Sequence, residues 1–325
     1  MASSLVEHDG NLSTAHEAYF RQQPHKQEGD CQKTSGEVYF PFMSGHQHQQ
    51  QQQPPQLFRA NGAKRVIGRS RLICCCVLSR DGVNSICIIV ILLAGVAVFM
   101  FGVVPRGEVY SYVVVSVLTA AAIACLVMSV AVDPGILLPL PPDPTRQPET
   151  VIVNGKEVLC KVCPTCHILR PPRSTHCQFC DYCVEEFDHH CGVVGSCVAK
   201  RTFRFFGGFF VFTAFLTLYI GIRTLVVLST CNCDWAAGQG RWELGAAVLS
   251  MIASGVGSCT VIPFAFYYIY LGCMNSTQKE AARFSLGFCE VNHDYHQGCW
   301  RNFFGRYFGP LGKSRITAEN ANLYV

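Results

Sequence analysis

The chain has 325 residues; half are hydrophobic, only 15% are charged, and the formal net charge is +4. A soluble domain carries about 25% charge, so the composition excludes an ordinary water-soluble globule, and a charge this small and dispersed argues against a nucleic-acid partner while suiting basic flanks against anionic lipid. The 20 Cys are too many for a chance background and the chain too long for a secreted disulfide scaffold, so reduced, metal-binding thiols are the better reading.

Residues 1–80 are polar, with a Gln-rich run from Gln47 to Gln56 and no apolar core of their own; they read as a disordered cytosolic tail with no cleavable signal peptide. Cys74-Cys75-Cys76 closes this stretch, as a juxtamembrane candidate for S-acylation or as plain interfacial residues. Four spans follow, each near the roughly 20 residues needed to cross a bilayer. The first covers 83–104 and stops at Pro105-Arg106. The second covers 109–132 and stops at Asp133-Pro134. Residues 133–204 form a polar loop that holds a cysteine-rich block at about 160–206. The third span covers 205–228 and contains Arg223 near its far end, where snorkelling or a polar cavity would accommodate the charge. A loop at 229–243, with Cys231 and Cys233, leads to the fourth span at 244–274, which contains Pro263. Residues 275–325 form a C-terminal segment. Backbone groups in lipid must be satisfied internally, so the spans are helices.

Basic residues set the orientation. Lys64, Arg65, Arg69, Arg71 and Arg80 precede span one. Lys156, Lys161, Arg170, Arg173, Lys200, Arg201 and Arg204 lie between spans two and three. Lys279, Arg283, Arg301, Arg306, Lys313 and Arg315 follow span four, whereas the other side holds only Arg106 and Arg241. Both termini and the cysteine block are expected in the cytosol, in an endomembrane or plasma-membrane protein. The fold class expected is an α-helical polytopic membrane protein: four transmembrane helices with a cytosolic two-zinc cysteine-rich domain between helices 2 and 3.

The block contains Cys163-x2-Cys166, then His176-Cys177-x2-Cys180-x2-Cys183, then Asp188-His189-His190-Cys191, then Cys197. A C-x2-C turn lets two thiolates reach one tetrahedral zinc, and the block has few large apolar residues to hold it folded otherwise. Seven Cys lie between 163 and 197, with His176, His189 and His190 as the plausible imidazoles and His167 a weaker one. Two tetrahedral zincs need eight ligands, which leaves one Cys and one His over: a nucleophile and a base. The count does not say which Cys is spare. Asp188-His189-His190-Cys191 is where an acid, a base and a thiol stand closest in sequence, so the dyad is placed there.

These residues resemble the DHHC protein S-acyltransferases (palmitoyltransferases) over about residues 80–310, including Asp133-Pro134-Gly135 after span two. The resemblance implies a first zinc on Cys163, Cys166, His176 and Cys183, and a second on Cys177, Cys180, His190 and Cys197. It implies Cys191 as the acyl-accepting nucleophile, His189 as its base and Asp188 orienting that base. Four departures stand out. Gly192-Val193 replace Pro-Trp, Ser196 replaces Asn, Ala199-Lys200-Arg201-Thr202 replace Gly-x-x-Asn, and Thr277-Gln278-Lys279-Glu280 replace Thr-Thr-x-Glu, with the second Thr lost or the pair shifted one place as Ser276-Thr277. An aromatic motif around Asn302 is present. The expected reaction is ping-pong transfer of a long-chain acyl group from acyl-CoA (palmitoyl-CoA) to Cys191, then to cytosolic cysteines of membrane-associated proteins. Lys200, Arg201 and Arg204 are the candidates for the CoA phosphates, or else ordinary anchors on the positive side. The two Zn2+ would be structural, since each has four protein ligands. The rival readings are a catalytically weak or inactive relative, a membrane zinc-finger adaptor and a transporter. A RING-like adaptor needs a different cross-braced spacing and leaves no Asp-His-His-Cys run; a transporter needs more polar residues in the spans than are present.

Overall fold

In the computed structural model, the residues described are 65–67, 70–73, 76–78, 83–105, 107–230, 240–285 and 295–316; of 65–78 only the backbone and the Ser70 side chain are included. Cys74, Cys75, Cys231, Cys233 and the Gln-rich run lie outside these residues. Four long helices form the body: α1 (Val83–Gly102), α2 (Val109–Ala131), α3 (Phe203–Thr230) and α4 (Arg241–Met274), each long and apolar enough to cross a membrane. Two short helices follow, α5 (Gln278–Ser285) and α6 (Cys299–Phe308).

The helix ends differ from the expected spans for local reasons. The third helix starts at Phe203 rather than 205 because Thr202 prepares its entry: its hydroxyl accepts from the Ala199 N–H at 3.0 Å and donates to the Cys197 carbonyl at 3.1 Å. The fourth begins at Arg241, taking Arg241 and Glu243 into its first turn.

Within a bilayer, helices associate through close packing, which small residues allow. A Cβ on Gly102 would come within 2.3 Å of the Ala246 Cβ, one on Gly207 would run into the Tyr307 hydroxyl at 2.4 Å and one on Gly272 into the Tyr307 ring at 2.6 Å. The last two glycines therefore open the slot between α3 and α4 in which Tyr307 of α6 lodges, its hydroxyl donating to the Tyr268 carbonyl at 3.0 Å. Asn302, also on α6, ties the end of α4 by donating to the Cys273 carbonyl at 2.8 Å. Arg223 finds a carboxylate at the end of the neighbouring span. Its guanidinium meets both carboxylate oxygens of Glu108 at 2.6 Å, at the start of α2.

The polar segments fold into small antiparallel sheets. Residues 65–78, read from sequence as part of a structureless tail, form one of them: β1 (Arg65–Ile67), β2 (Ser70–Ile73) and β3 (Cys76–Leu78). Strands of three or four residues are too short for a periodicity to register, and β3 gains its place by packing near α2. After α2 come β4 (Ile136–Leu137), β5 (Glu149–Val153) and β6 (Lys156–Cys160). The turn Asn154-Gly155, both residues at positive φ, joins β5 to β6. Then come β7 (Thr175–Cys177), β8 (Tyr182–Val184), β9 (His189–Cys191) and β10 (Ser196–Val198). The sheets are β4-β8-β7 and β9-β10.

Candidate active site and metal centres

Each hairpin sets a His opposite a Cys. His176 of β7 pairs with Cys183 of β8, and His190 of β9 pairs with Cys197 of β10. A C-x2-C turn completes each group: Cys163 and Cys166 for the first, Cys177 and Cys180 for the second. Within each set all ligand atoms lie within 4.8 Å of one another. A tetrahedral zinc with Zn–S near 2.3 Å separates its ligand atoms by roughly 3.5–3.8 Å. The observed separations fit. Cys166 Sγ is 3.4 Å and Cys183 Sγ 3.8 Å from His176 Nδ1, and Cys177 Sγ is 3.6 Å and Cys180 Sγ 3.3 Å from His190 Nδ1.

Crowding drives the values of these thiols apart. Hydrogen bonds among the thiols draw Cys163 far down and push Cys183 far up; in the second set Cys177 falls to about 2 and Cys180 rises to about 12. A divalent cation makes all the sulfurs thiolates at once, which is the donor chemistry of structural zinc.

The two sets repeat at an interval of 14 residues: 163, 166, 176 and 183 against 177, 180, 190 and 197. The backbone repeats as well. In the first knuckle the His167 N–H bonds the Cys163 carbonyl at 2.9 Å, and in the second the Asp181 N–H bonds the Cys177 carbonyl at 2.8 Å. His167 and Asp181 both take positive φ. Fourteen residues further on, the Gly195 N–H bonds the Cys191 carbonyl at 2.7 Å, and Gly195 also takes positive φ. Cys191 thus opens a third knuckle. Its second cysteine position is Val194, and its thiol belongs to neither ligand set.

The acid, base and thiol named from sequence are brought together. His189 Nδ1 lies 2.9 Å from Asp188 Oδ2, and the Cys191 sulfur acts on the same imidazole to raise its value. The nitrogen facing Asp188 is the proton carrier when the other takes the thiol proton. Burial lowers the His189 value, but the Asp188 carboxylate and the Cys191 sulfur outweigh it and hold the imidazole up to about 9. Burial raises Cys191, but His189 and the Val194 and Val193 N–H groups outweigh it and draw the thiol down. Cys191 is 9% exposed and packs with Leu126, Phe206, Phe209 and Tyr268, so the thiol caps the apolar core of the helix bundle.

Asp188 is fixed from three sides: by His189, by the Gln278 N–H at 2.6 Å and by the Tyr268 hydroxyl at 3.2 Å. The last two were not foreseen from sequence. Gln278 occupies the place of the second family Thr, yet its contribution is a peptide N–H at the start of α5. That start is built by a capping box: the Glu280 N–H donates to Thr277 Oγ1 at 3.2 Å, and the Thr277 N–H donates to Glu280 Oε2 at 2.9 Å. Arg173 grips the same Glu280 with two bonds of 2.8 and 2.9 Å and stacks over Tyr295. Burial lowers Arg173, but the Glu186 and Glu280 carboxylates outweigh it and raise its value.

The Asp-Pro-Gly turn has a structural task. Asp133 accepts from the Gly135 and Ile136 N–H groups at 2.9 Å, from Arg201 at 2.6 Å and from the Ser314 hydroxyl at 2.6 Å. Among the residues expected at the CoA phosphates, Arg201 is therefore engaged with Asp133, and Arg204 donates to the Gly309 carbonyl at 2.5 Å. Lys200 keeps 44% of its side chain exposed and pairs with Glu185 at 3.1 Å. A Cβ on Gly192 would meet nothing within 4 Å, so the family's Pro at this place alters the surface of the knuckle rather than its peptide frame.

Residues 157–285 match the family described as DHHC palmitoyltransferase. The chain is 28% identical over 281 residues to palmitoyltransferase ZDHHC18 of Mus musculus, covering 77% of this chain and 73% of that one. It is 34% identical over 182 residues to palmitoyltransferase ZDHHC14 of Homo sapiens, covering 54% of this chain and 36% of the relative. Against palmitoyltransferase ZDHHC8 of Drosophila melanogaster the identity is 27% over 215 residues, or 62% and 22% of the two chains.

Proposed function

Because the chain belongs to the DHHC palmitoyltransferase family, we propose that it is a protein S-acyltransferase whose nucleophile is Cys191, with His189 as base and Asp188 as the group that orients it. The observation that carries the residue assignment is the buried line Asp188–His189–Cys191, set on a knuckle whose thiol no zinc set uses and placed over the apolar end of the bundle.

The chemistry follows from that line. His189 takes the Cys191 proton while Asp188 stabilises the imidazolium. The sulfur attacks the carbonyl carbon of the acyl thioester, the bond from that carbon to the CoA sulfur breaks, and CoA leaves with the proton returned by His189. A cysteine thiolate of a protein substrate then attacks the Cys191 thioester, and Cys191 leaves as thiolate: two displacements in a ping-pong order. The acyl tail enters the apolar bundle beneath Cys191, where each buried CH2 contributes about 0.8 kcal/mol and a long chain on the order of 10 kcal/mol. Lys200 offers the exposed ammonium for the CoA phosphates; Arg201 and Arg204 hold the loop beside it. The two zinc sets, Cys163, Cys166, His176, Cys183 and Cys177, Cys180, His190, Cys197, keep the line at its height above the bundle. The basic flanks support a cytosolic module, cytosolic termini and an endomembrane or plasma-membrane location, with membrane-associated proteins bearing cytosolic cysteines as acceptors.

The test uses purified chain and labelled palmitoyl-CoA. A hydroxylamine-sensitive adduct is expected on the wild type and none on Cys191→Ser, with two zincs per chain in both. An adduct of equal rate on Cys191→Ser would overturn the assignment.

A further inference from the structure

The third knuckle does without a metal ion what the other two do around one: it holds a sulfur in a fixed place. Two polar side chains at the start of α1 reach it across the chain. Asn84 Nδ2 donates to the Gly192 carbonyl at 2.9 Å, and Ser85 Oγ donates to the Val193 carbonyl at 2.8 Å. These are consecutive peptides. In a planar trans peptide the C=O and the N–H point in opposite directions. Fixing the Gly192 oxygen outward therefore turns the Val193 N–H inward, and fixing the Val193 oxygen turns the Val194 N–H inward. In the repeated knuckle geometry this inner side is the one on which the Cys191 sulfur lies. In the first knuckle the corresponding Cys166 N–H points at Cys163 Sγ, 3.4 Å away. There a cation held by Cys163, Cys166, His176 and Cys183 would supply the remaining pull on the sulfur; at Cys191 the two α1 side chains supply the orientation instead. Ser85 is 4% exposed, so its hydroxyl is held in place.

We propose that Asn84 and Ser85 are positioning residues for acyl transfer: by anchoring the Gly192 and Val193 carbonyls they aim two peptide N–H donors at Cys191 Sγ and fix the sulfur for attack. The inference rests on the acyl-transfer reading. As the sulfur attacks, negative charge moves to the acyl oxygen beside the same donors, so their preorganisation acts on the rate and leaves binding of the acyl donor alone.

The experiment measures thioester formation by the purified full chain across a range of palmitoyl-CoA concentrations, with zinc content recorded for each variant. Ser85→Ala is expected to lower kcat on the order of tenfold, with KM within about twofold and two zincs retained. Ser85→Thr, which keeps the hydroxyl, should recover most of the loss; Cys87→Ala, on the lipid-exposed face of the same helix, should match wild type. Should Ser85→Ala lose zinc, the exposed Asn84→Leu carries the test in its place. A wild-type kcat in zinc-replete Ser85→Ala and Asn84→Leu, or a Ser85→Thr no faster than Ser85→Ala, overturns the proposal. Alkylation of Cys191 by iodoacetamide needs no acyl donor and separates the two readings. Slower alkylation in Ser85→Ala supports the positioning role even if the wild type forms no thioester, in which case the acyl-transfer reading fails by itself. Equal alkylation rates overturn the positioning role.

Discussion

The first two knuckles and the third share a backbone and differ in what their sulfurs do. Cys163 and Cys177 sit in sets of four donors with the separations of a tetrahedral cation. Cys191 has the same carbonyl-to-amide closure and the same left-handed residue four places on, but it joins neither set, and His189 with the Val194 and Val193 N–H groups draws its thiol down. The same turn that brings two thiols into a metal set thus leaves the Cys191 thiol outside both sets, with Val194 in the place of the second cysteine.

The largest effect should come from breaking a metal knuckle. Cys180→Ser removes a ligand from the second set, and structural zinc contributes on the order of 10–16 kcal/mol in such modules. Loss of zinc by metal analysis, rapid proteolysis between 157 and 200 and no thioester at all are expected, whereas Cys191→Ser should lose the thioester only. Equal zinc and protease resistance in both variants would show that the knuckles do not differ in task.

Next comes the partner that distinguishes the third knuckle. Asp188→Asn should lower the rate of thioester formation roughly 10²- to 10⁴-fold with zinc unchanged. Its pH behaviour sharpens the point. His189 is raised to about 9, so the stability gained from its charge is complete below the ordinary imidazole value and is lost as pH rises through about 9. Cys191 is lowered, so the stability gained from its thiolate is present above the ordinary thiol value and is lost as pH falls through the lowered one. The thiolate–imidazolium pair therefore occupies the window between that lowered value and about 9. Alkylation of Cys191 followed against pH should stay fast below the usual thiol range in wild type, and its acid edge should move up in Asp188→Asn, because an imidazolium without that carboxylate stabilises the thiolate less. An unchanged profile would remove Asp188 from the line.

The smallest effect belongs to the outer support. Arg173→Lys keeps a charge but loses the paired bonds to Glu280 and the stacking on Tyr295. A loss of about 1–2 kcal/mol is expected, read as a lower melting temperature and a few-fold slower thioester formation. A variant as stable as wild type would mean that α5 is held by its capping box alone.

The four long helices, the presence of two zinc sites and the clustering of acid, base and thiol were legible because each is written within a short stretch: a run of apolar residues, repeated C-x2-C spacings, a tetrad; the division of the ligands into two sets came from the family resemblance. What was not legible depends on residues far apart. Nothing local says that Asn84 and Ser85 meet the loop after Cys191, that Glu108 receives Arg223, or that Arg201 closes on Asp133. The glycines at 207 and 272 give no signal until Tyr307 is seen between them. The strands in 65–78 are too short for any pattern. The 14-residue repeat was present in the letters, yet its third copy lacks the second cysteine and shows itself only through the backbone at Gly195.

The N–H of Gln278 bears on how related chains should be sorted. Position 278 departs from the family pattern in its side chain, and a search written in side-chain letters would score that as damage. What reaches Asp188 there is the main chain, which almost every residue except proline can supply. Sequences that vary at this place should therefore be divided by whether Thr277 and Glu280 still form the cap that aims the peptide, and proline is the one letter to treat as a loss.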